Sequence, residues 1–99
     1  MKELNTLDFQ DSIDNGISLV KFWAPWCGPC KSYAPTFEEF ADKHDDVNCY
    51  SVNCDSEANL AEEFHIMSIP ITILFKDGEE IKRKNGKLSI EDLENLVSE

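Results

Sequence analysis

The chain switches several times between short, densely apolar runs and longer stretches with apolar residues every three or four positions. Residues 17–24 read Ile-Ser-Leu-Val-Lys-Phe-Trp-Ala. So apolar a run of strand-forming residues predicts a central strand covered on both faces. From Cys30 to His44, Tyr33, Phe37, Phe40 and Ala41 fall on one helical stripe. Pro35 lies inside that stripe and predicts a kink. Residues 47–54 read as a second strand. Asp55 or Ser56 is positioned to cap a helix over 57–64, with Leu60 and Phe64 facing inward.

Residues 71–75, Ile-Thr-Ile-Leu-Phe, predict a further strand. Asp77-Gly78 is a strong hairpin signal, and 79–84 supply a charged return strand suited to a sheet edge. Ser89 with Asp92 resembles a capping box opening a last helix, whose inner face is Leu93, Leu96 and Val97. Near the N-terminus, Phe9 and Ile13 predict a short helix over 7–14, with Thr6 as its cap. The predicted order is β-α-β-α-β-α-β-β-α, with a weak first strand. The middle β-α-β alternation implies parallel strands joined by right-handed crossovers, and the terminal hairpin adds antiparallel ones. The expectation is an α/β fold: a central mixed β-sheet flanked by helices on both faces, in one domain spanning 1–99.

Composition narrows the function classes. Hydrophobic residues make up 41% of the 99, enough for a packed core. Nine Lys and Arg against 20 Asp and Glu give a net charge of −11. That balance opposes a nucleic-acid or anionic-membrane face, which needs clustered positive charge. No apolar stretch approaches the ~18–20 residues of a membrane span. Met1–Thr6 carries Glu3 where an export signal would be apolar, so a cytoplasmic protein is expected. Acidic clusters such as Glu38-Glu39 and Glu62-Glu63 read as solvated helix faces.

The chemistry concentrates in Cys27-Gly28-Pro29-Cys30. Cys27 falls where a strand ends and a helix begins. A helix N-terminus presents unpaired N–H groups and a partial positive charge, both of which favour a thiolate. Gly28 lets the chain turn there, and Pro29 suits the first helical turn. Cys27 and Cys30 are then one turn apart, close enough for a small disulfide ring. Cys27 is expected to be the outer, reachable sulfur and Cys30 the deeper one. Cys27 therefore attacks a substrate disulfide, and Cys30 then attacks Cys27 and releases the reduced substrate. A zinc site would need four ligands, and Cys49, Cys54, His44 and His65 lie at no ligand spacing, so no metal is expected. If 49–54 is one strand, Cys49 and Cys54 point to opposite faces on the order of 16 Å apart. They cannot pair with each other and read as small buried hydrophobes, with a regulatory thiol as the alternative. Both histidines sit at expected helix ends, as solvated or capping groups.

Phe22-Trp23-Ala24-Pro25-Trp26-Cys27-Gly28-Pro29-Cys30-Lys31 resembles the active-site segment of the thioredoxin family. The resemblance continues through Pro35, Ile69-Pro70 before a strand, Lys76-Asp77-Gly78, and Gly86. It implies the thioredoxin fold and a general protein dithiol–disulfide oxidoreductase with no bound cofactor. It also implies a monomer that a thioredoxin reductase re-reduces, with disulfide-containing proteins as substrates. Gly28-Pro29 is similar to the reducing members; a thiol oxidase or isomerase, or a binding module without turnover, remains the alternative. The resemblance further implies that Pro70 is a cis-proline facing the disulfide. Trp26, Ile69, Pro70 and the Asn85-Gly86 loop would form a shallow substrate groove, with the Ile69 backbone hydrogen-bonding the substrate.

The sequence departs from the family at a buried pair. The family's usual strand Asp, six positions before the first cysteine, is Lys21 here, and its usual Lys partner is Ser51. Lys21 joins Trp26, Gly28, Pro29 and Pro70 as an expected support of the site, in one of three ways. A charged Lys21 stabilises the Cys30 thiolate. A desolvated, neutral one accepts the Cys30 proton. Otherwise its stem packs in the core while the amine reaches water.

Overall fold

A computed structural model describes residues 2–98; Met1 and Glu99, the ends of the expected 1–99 domain, lie outside the described residues. The elements are β1 (Lys2–Glu3), α1 (Phe9–Ile13), β2 (Ile17–Trp23), α2 (Gly28–Lys43), β3 (Asn48–Asn53), α3 (Ala58–Glu63), β4 (Ile71–Lys76), β5 (Glu79–Asn85) and α4 (Ile90–Val97). This is the order the sequence pattern predicts. Five strands form one sheet in the order β1-β3-β2-β4-β5. β1 and β2 run parallel to β3, while β4 runs antiparallel to both β2 and β5.

β2 lies at the centre because its sequence can be buried on both faces. Its residues divide by parity between two cores. Val20 and Phe22 join Leu4, Phe9, Ile13, Val52, Leu60, Ile71, Ile73 and Phe75 on the side of α1 and α3. Leu19 joins Tyr33, Phe37, Phe40, Leu74, Leu93 and Leu96 on the side of α2 and α4. Each such large side chain contributes roughly 1.5–3 kcal/mol of apolar burial. Phe64 knits the first core: its ring lies 5.2 Å from Phe9, 6.1 Å from Phe22 and 5.6 Å from Phe75.

Several local expectations are corrected. Thr6 does not cap α1; its backbone N–H and hydroxyl both donate to Glu57, which lies far along the sequence. Asn5 makes the turn instead, its side-chain oxygen accepting from the N–H groups of Leu7 and Asp8. Neither Asp55 nor Ser56 caps α3, whose N-cap position is Glu57 without a side-chain bond. Asn53 accepts from Asp55 N–H at 2.9 Å and bends the chain there. Pro35 lies inside α2, where its place in the helical stripe puts it. The capping box at Ser89 and Asp92 is present in full.

Candidate active site

Cys27 occupies the N-cap position of α2 in an extended backbone conformation, and Pro29 falls in the first turn. The Cys27 sulfur accepts the Cys30 N–H at 3.2 Å. It therefore takes one of the orphan donors at the helix start, the feature that favours negative charge on it. Cys27 and Cys30 form a disulfide, with Cα atoms 5.3 Å apart. On the other side, the Ile69 carbonyl oxygen lies 3.8 Å from the Cys27 sulfur. The Ile69–Pro70 peptide bond is cis.

Exposure corrects one expectation. Cys27 is the outer of the two, but only just: 5% exposed against 2% for Cys30. The helix start and the Ile69–Pro70 segment enclose the sulfur from two sides. What stands open is the rim, where Trp26 is 70% exposed and Gly28 and Pro29 are exposed. Trp26 is held in place by its indole N–H, which donates to Asp55 at 3.2 Å.

The groove also differs from the expected one. Trp26 and Ile69 line a concavity of about 390 Å³ with Cys54, Ile66, Met67 and Ser68. Pro70 is buried beneath rather than lining it. Asn85 and Gly86 brace the cis-proline segment: the Gly86 N–H donates to the Pro70 carbonyl at 2.8 Å, and Ser68 donates to the Asn85 side chain at 3.0 Å. Sequence reasoning missed Asp55, Ile66 and Met67. The signal for Met67, 92% exposed, was an apolar residue just before Ile69-Pro70.

Cys49 packs against the α2 side and Cys54 against the α1 side, so the two face opposite ways as expected. Burial pushes the Cys49 thiol up to about 11 and raises Cys54 as well. His44 ends α2, stacked on Phe40 at 4.1 Å and 3.3 Å from Glu94. Among the described residues, no group of three or more His, Cys, Asp or Glu could hold a metal ion.

Lys21 lies in the buried centre of β2, 5% exposed, with its amine 5.4 Å from the centre of the Phe37 ring. It flanks a cavity of about 220 Å³ that also reaches Cys30, Glu3, Glu38 and Ser51. Desolvation lowers the Lys21 pKa, and the charges of Glu3 and Glu38 oppose that shift.

A disulfide at a helix N-terminus, set against a cis-proline segment in a mixed-sheet fold, defines a dithiol–disulfide redox protein. The Thioredoxin family model matches residues 1–99. Thioredoxin of Staphylococcus saprophyticus is 42% identical over 91 residues, covering 91% of this chain and 88% of that protein. Thioredoxin of Chlamydia trachomatis is 42% identical over 91 residues, covering 92% and 89%. The crystal structure of Malassezia sympodialis thioredoxin (Mala s 13) matches with a TM-score of 0.89 at 29% identity, over 98% of this chain and 89% of that one. The chain belongs to the thioredoxin family, and it is a general dithiol–disulfide oxidoreductase.

Proposed function

We propose that Cys27 is the attacking thiolate and Cys30 the resolving thiol of a cytoplasmic, monomeric protein-disulfide reductase acting as a single domain, 1–99. The observation that carries this is the Cys27 sulfur at the N-cap of α2, accepting the Cys30 N–H at 3.2 Å. After reduction the same position stabilises a thiolate. That thiolate attacks one sulfur of a substrate disulfide, and the substrate's other sulfur leaves. Cys30 then attacks the Cys27 sulfur, which releases the substrate as a dithiol and restores the Cys27–Cys30 bond. The two electrons travel on the cysteines, so no bound cofactor enters the step. A thioredoxin reductase returns the protein to its dithiol form.

Trp26, Ile69 and Met67 offer the substrate an apolar rim beside the disulfide. The Ile69 backbone, 3.8 Å from the Cys27 sulfur, is placed to pair with an extended substrate strand. Pro70, Asn85 and Gly86 hold that segment in place, while Gly28 and Pro29 shape the helix start. Lys21 supports the site from behind Cys30. No described helix is long and apolar enough to cross a membrane, and no basic face for nucleic acid is expected of a chain with net charge −11.

Insulin-disulfide reduction, driven by NADPH and a bacterial thioredoxin reductase, tests the assignment. Wild type turns over; Cys27→Ser is inactive; Cys30→Ser accumulates a mixed disulfide on Cys27. Turnover that survives Cys27→Ser would refute the roles.

A further inference from the structure

Glu3, Lys21 and Ser51, which line the cavity behind Cys30, belong to a polar row that crosses four strands of the sheet. In register, Glu3 on β1 pairs with Ser51 on β3, Ser51 with Lys21 on β2, and Lys21 with Thr72 on β4. The row faces α2. Tyr33 on that helix hydrogen-bonds Thr72 at 2.8 Å, and Phe37 meets the Lys21 amine. The Glu3 carboxylate has two donors: the Ser51 hydroxyl, and the Trp23 indole N–H at 3.1 Å. Glu3 is exposed on its two-residue edge strand, and these bonds turn its carboxylate toward Ser51 and Trp23.

We propose that Glu3 and Lys21 form a charge pair that serves the resolving cysteine, with Lys21 the positioning cation behind Cys30 and Glu3 the anion that keeps it charged. The inference deepens the roles proposed for Cys27 and Cys30 and rests on them. An ammonium in a half-enclosed cavity is strongly felt by a thiolate on the same wall. Burial lowers the Lys21 pKa. Glu3, Glu38 and the face of the Phe37 ring all favour the protonated amine. Lys31 and Glu38, both on α2, are the other charged groups at the cavity; Ser51 and Thr72 contribute only hydroxyls. The effect falls on the second half of the reaction. The Cys30 S–H bond breaks and its proton passes to solvent through the cavity. The thiolate attacks the Cys27 sulfur, and the electron pair of the mixed disulfide leaves on the substrate sulfur. A charged Lys21 makes that proton loss easier without touching the first attack by Cys27.

Single-turnover reaction of the reduced protein with 5,5′-dithiobis(2-nitrobenzoate) separates the two steps, because each releases one coloured thiolate. Lys21→Met keeps the stem volume and removes the charge. It is expected to leave the first release within about twofold, and to slow the second about tenfold with its pH midpoint about one unit higher. Lys21→Arg is expected to restore the second step, which loss of packing would not explain. Glu3→Gln is expected to slow the second release at alkaline pH, where the unpartnered amine is neutral, and to add nothing in a Lys21→Met background. A second release unchanged in rate and pH midpoint by Lys21→Met would overturn the proposal. So would equal effects of Glu3→Gln in both backgrounds. A wild-type protein that releases only the first thiolate would instead refute the resolving role of Cys30.

Discussion

At the scale of single residues, four cysteines of one chain are sorted by environment into two uses. Cys27 meets a helix N-terminus, which lowers the cost of charge on sulfur. Cys49 meets apolar side chains, and burial pushes its thiol up to about 11. At pH 8 its thiolate fraction is therefore about two hundredfold below that of a free thiol near 8.5. Iodoacetamide applied to the oxidised protein at pH 8 should label Cys54 before Cys49, and Cys49 about two hundredfold more slowly than in urea. Peptide mass spectrometry reads the order; equal labelling of both would show that Cys49 is not shielded. The active-site pair was legible in the sequence because four consecutive residues and one helix start suffice to specify it. Glu3, Asp55 and Met67 were not, because their partners lie across the fold. Glu3 meets Ser51 and Trp23, Asp55 meets Trp26, and no local spacing announces either contact. The nearly covered state of Cys27 was hidden for the same reason, since part of its enclosure comes from Ile69–Pro70.

At the scale of elements, the turns carry more information than the strands they join. Asp77 and Gly78 both have positive φ, 49° and 89°, as a two-residue hairpin of this kind requires. Asp77 also ties the hairpin to the other end of β2, its carboxylate accepting the Gly16 N–H at 2.8 Å. A methyl group at Gly78 would come within 3.0 Å of the Asp14 carboxylate and 3.2 Å of the Gln10 amide. Gly78→Ala should thus combine backbone strain with crowding and cost about 1–3 kcal/mol, read from urea unfolding. A loss below ~0.5 kcal/mol would mean the turn relaxes at no cost. Ser89→Ala removes one half of the capping box on α4 and should cost about 1 kcal/mol in the same assay. The box was legible because its partners lie three residues apart. The caps of α1 and α3 were misassigned because Thr6 finds a better partner in Glu57, and because the Asn53 side chain takes the Asp55 and Ser56 N–H groups into a turn, so that α3 opens only after Glu57. A polar residue near a helix start caps it only if no distant group outcompetes the local one.

At the scale of the whole molecule, the apolar order of the strands and the charge balance act in opposite directions. Two cores on either side of β2 hold the fold together, and the pattern of residues 17–24 and 71–75 made that arrangement legible. Against it stands a net charge of −11 on 99 residues. The cations are unevenly spread, with four of the nine in 82–87, and acidic residues outnumber them by 20 to nine. The ion pairs Lys2–Asp8 at 3.5 Å, Lys43–Glu39 at 2.9 Å and Arg83–Glu80 at 2.6 Å are at least partly exposed. Each is worth at most about 1 kcal/mol, and salt weakens it. Repulsion among the excess carboxylates is weakened too, and it involves many more pairs. Raising NaCl from about 10 mM to about 150 mM shortens the screening length from about 30 Å to about 8 Å, within the spacing of neighbouring surface charges. The melting temperature should therefore rise by a few degrees over that interval. A melting temperature that falls instead would mean that the few ion pairs outweigh the net repulsion, and that the acidic surface is arranged more favourably than its total charge implies.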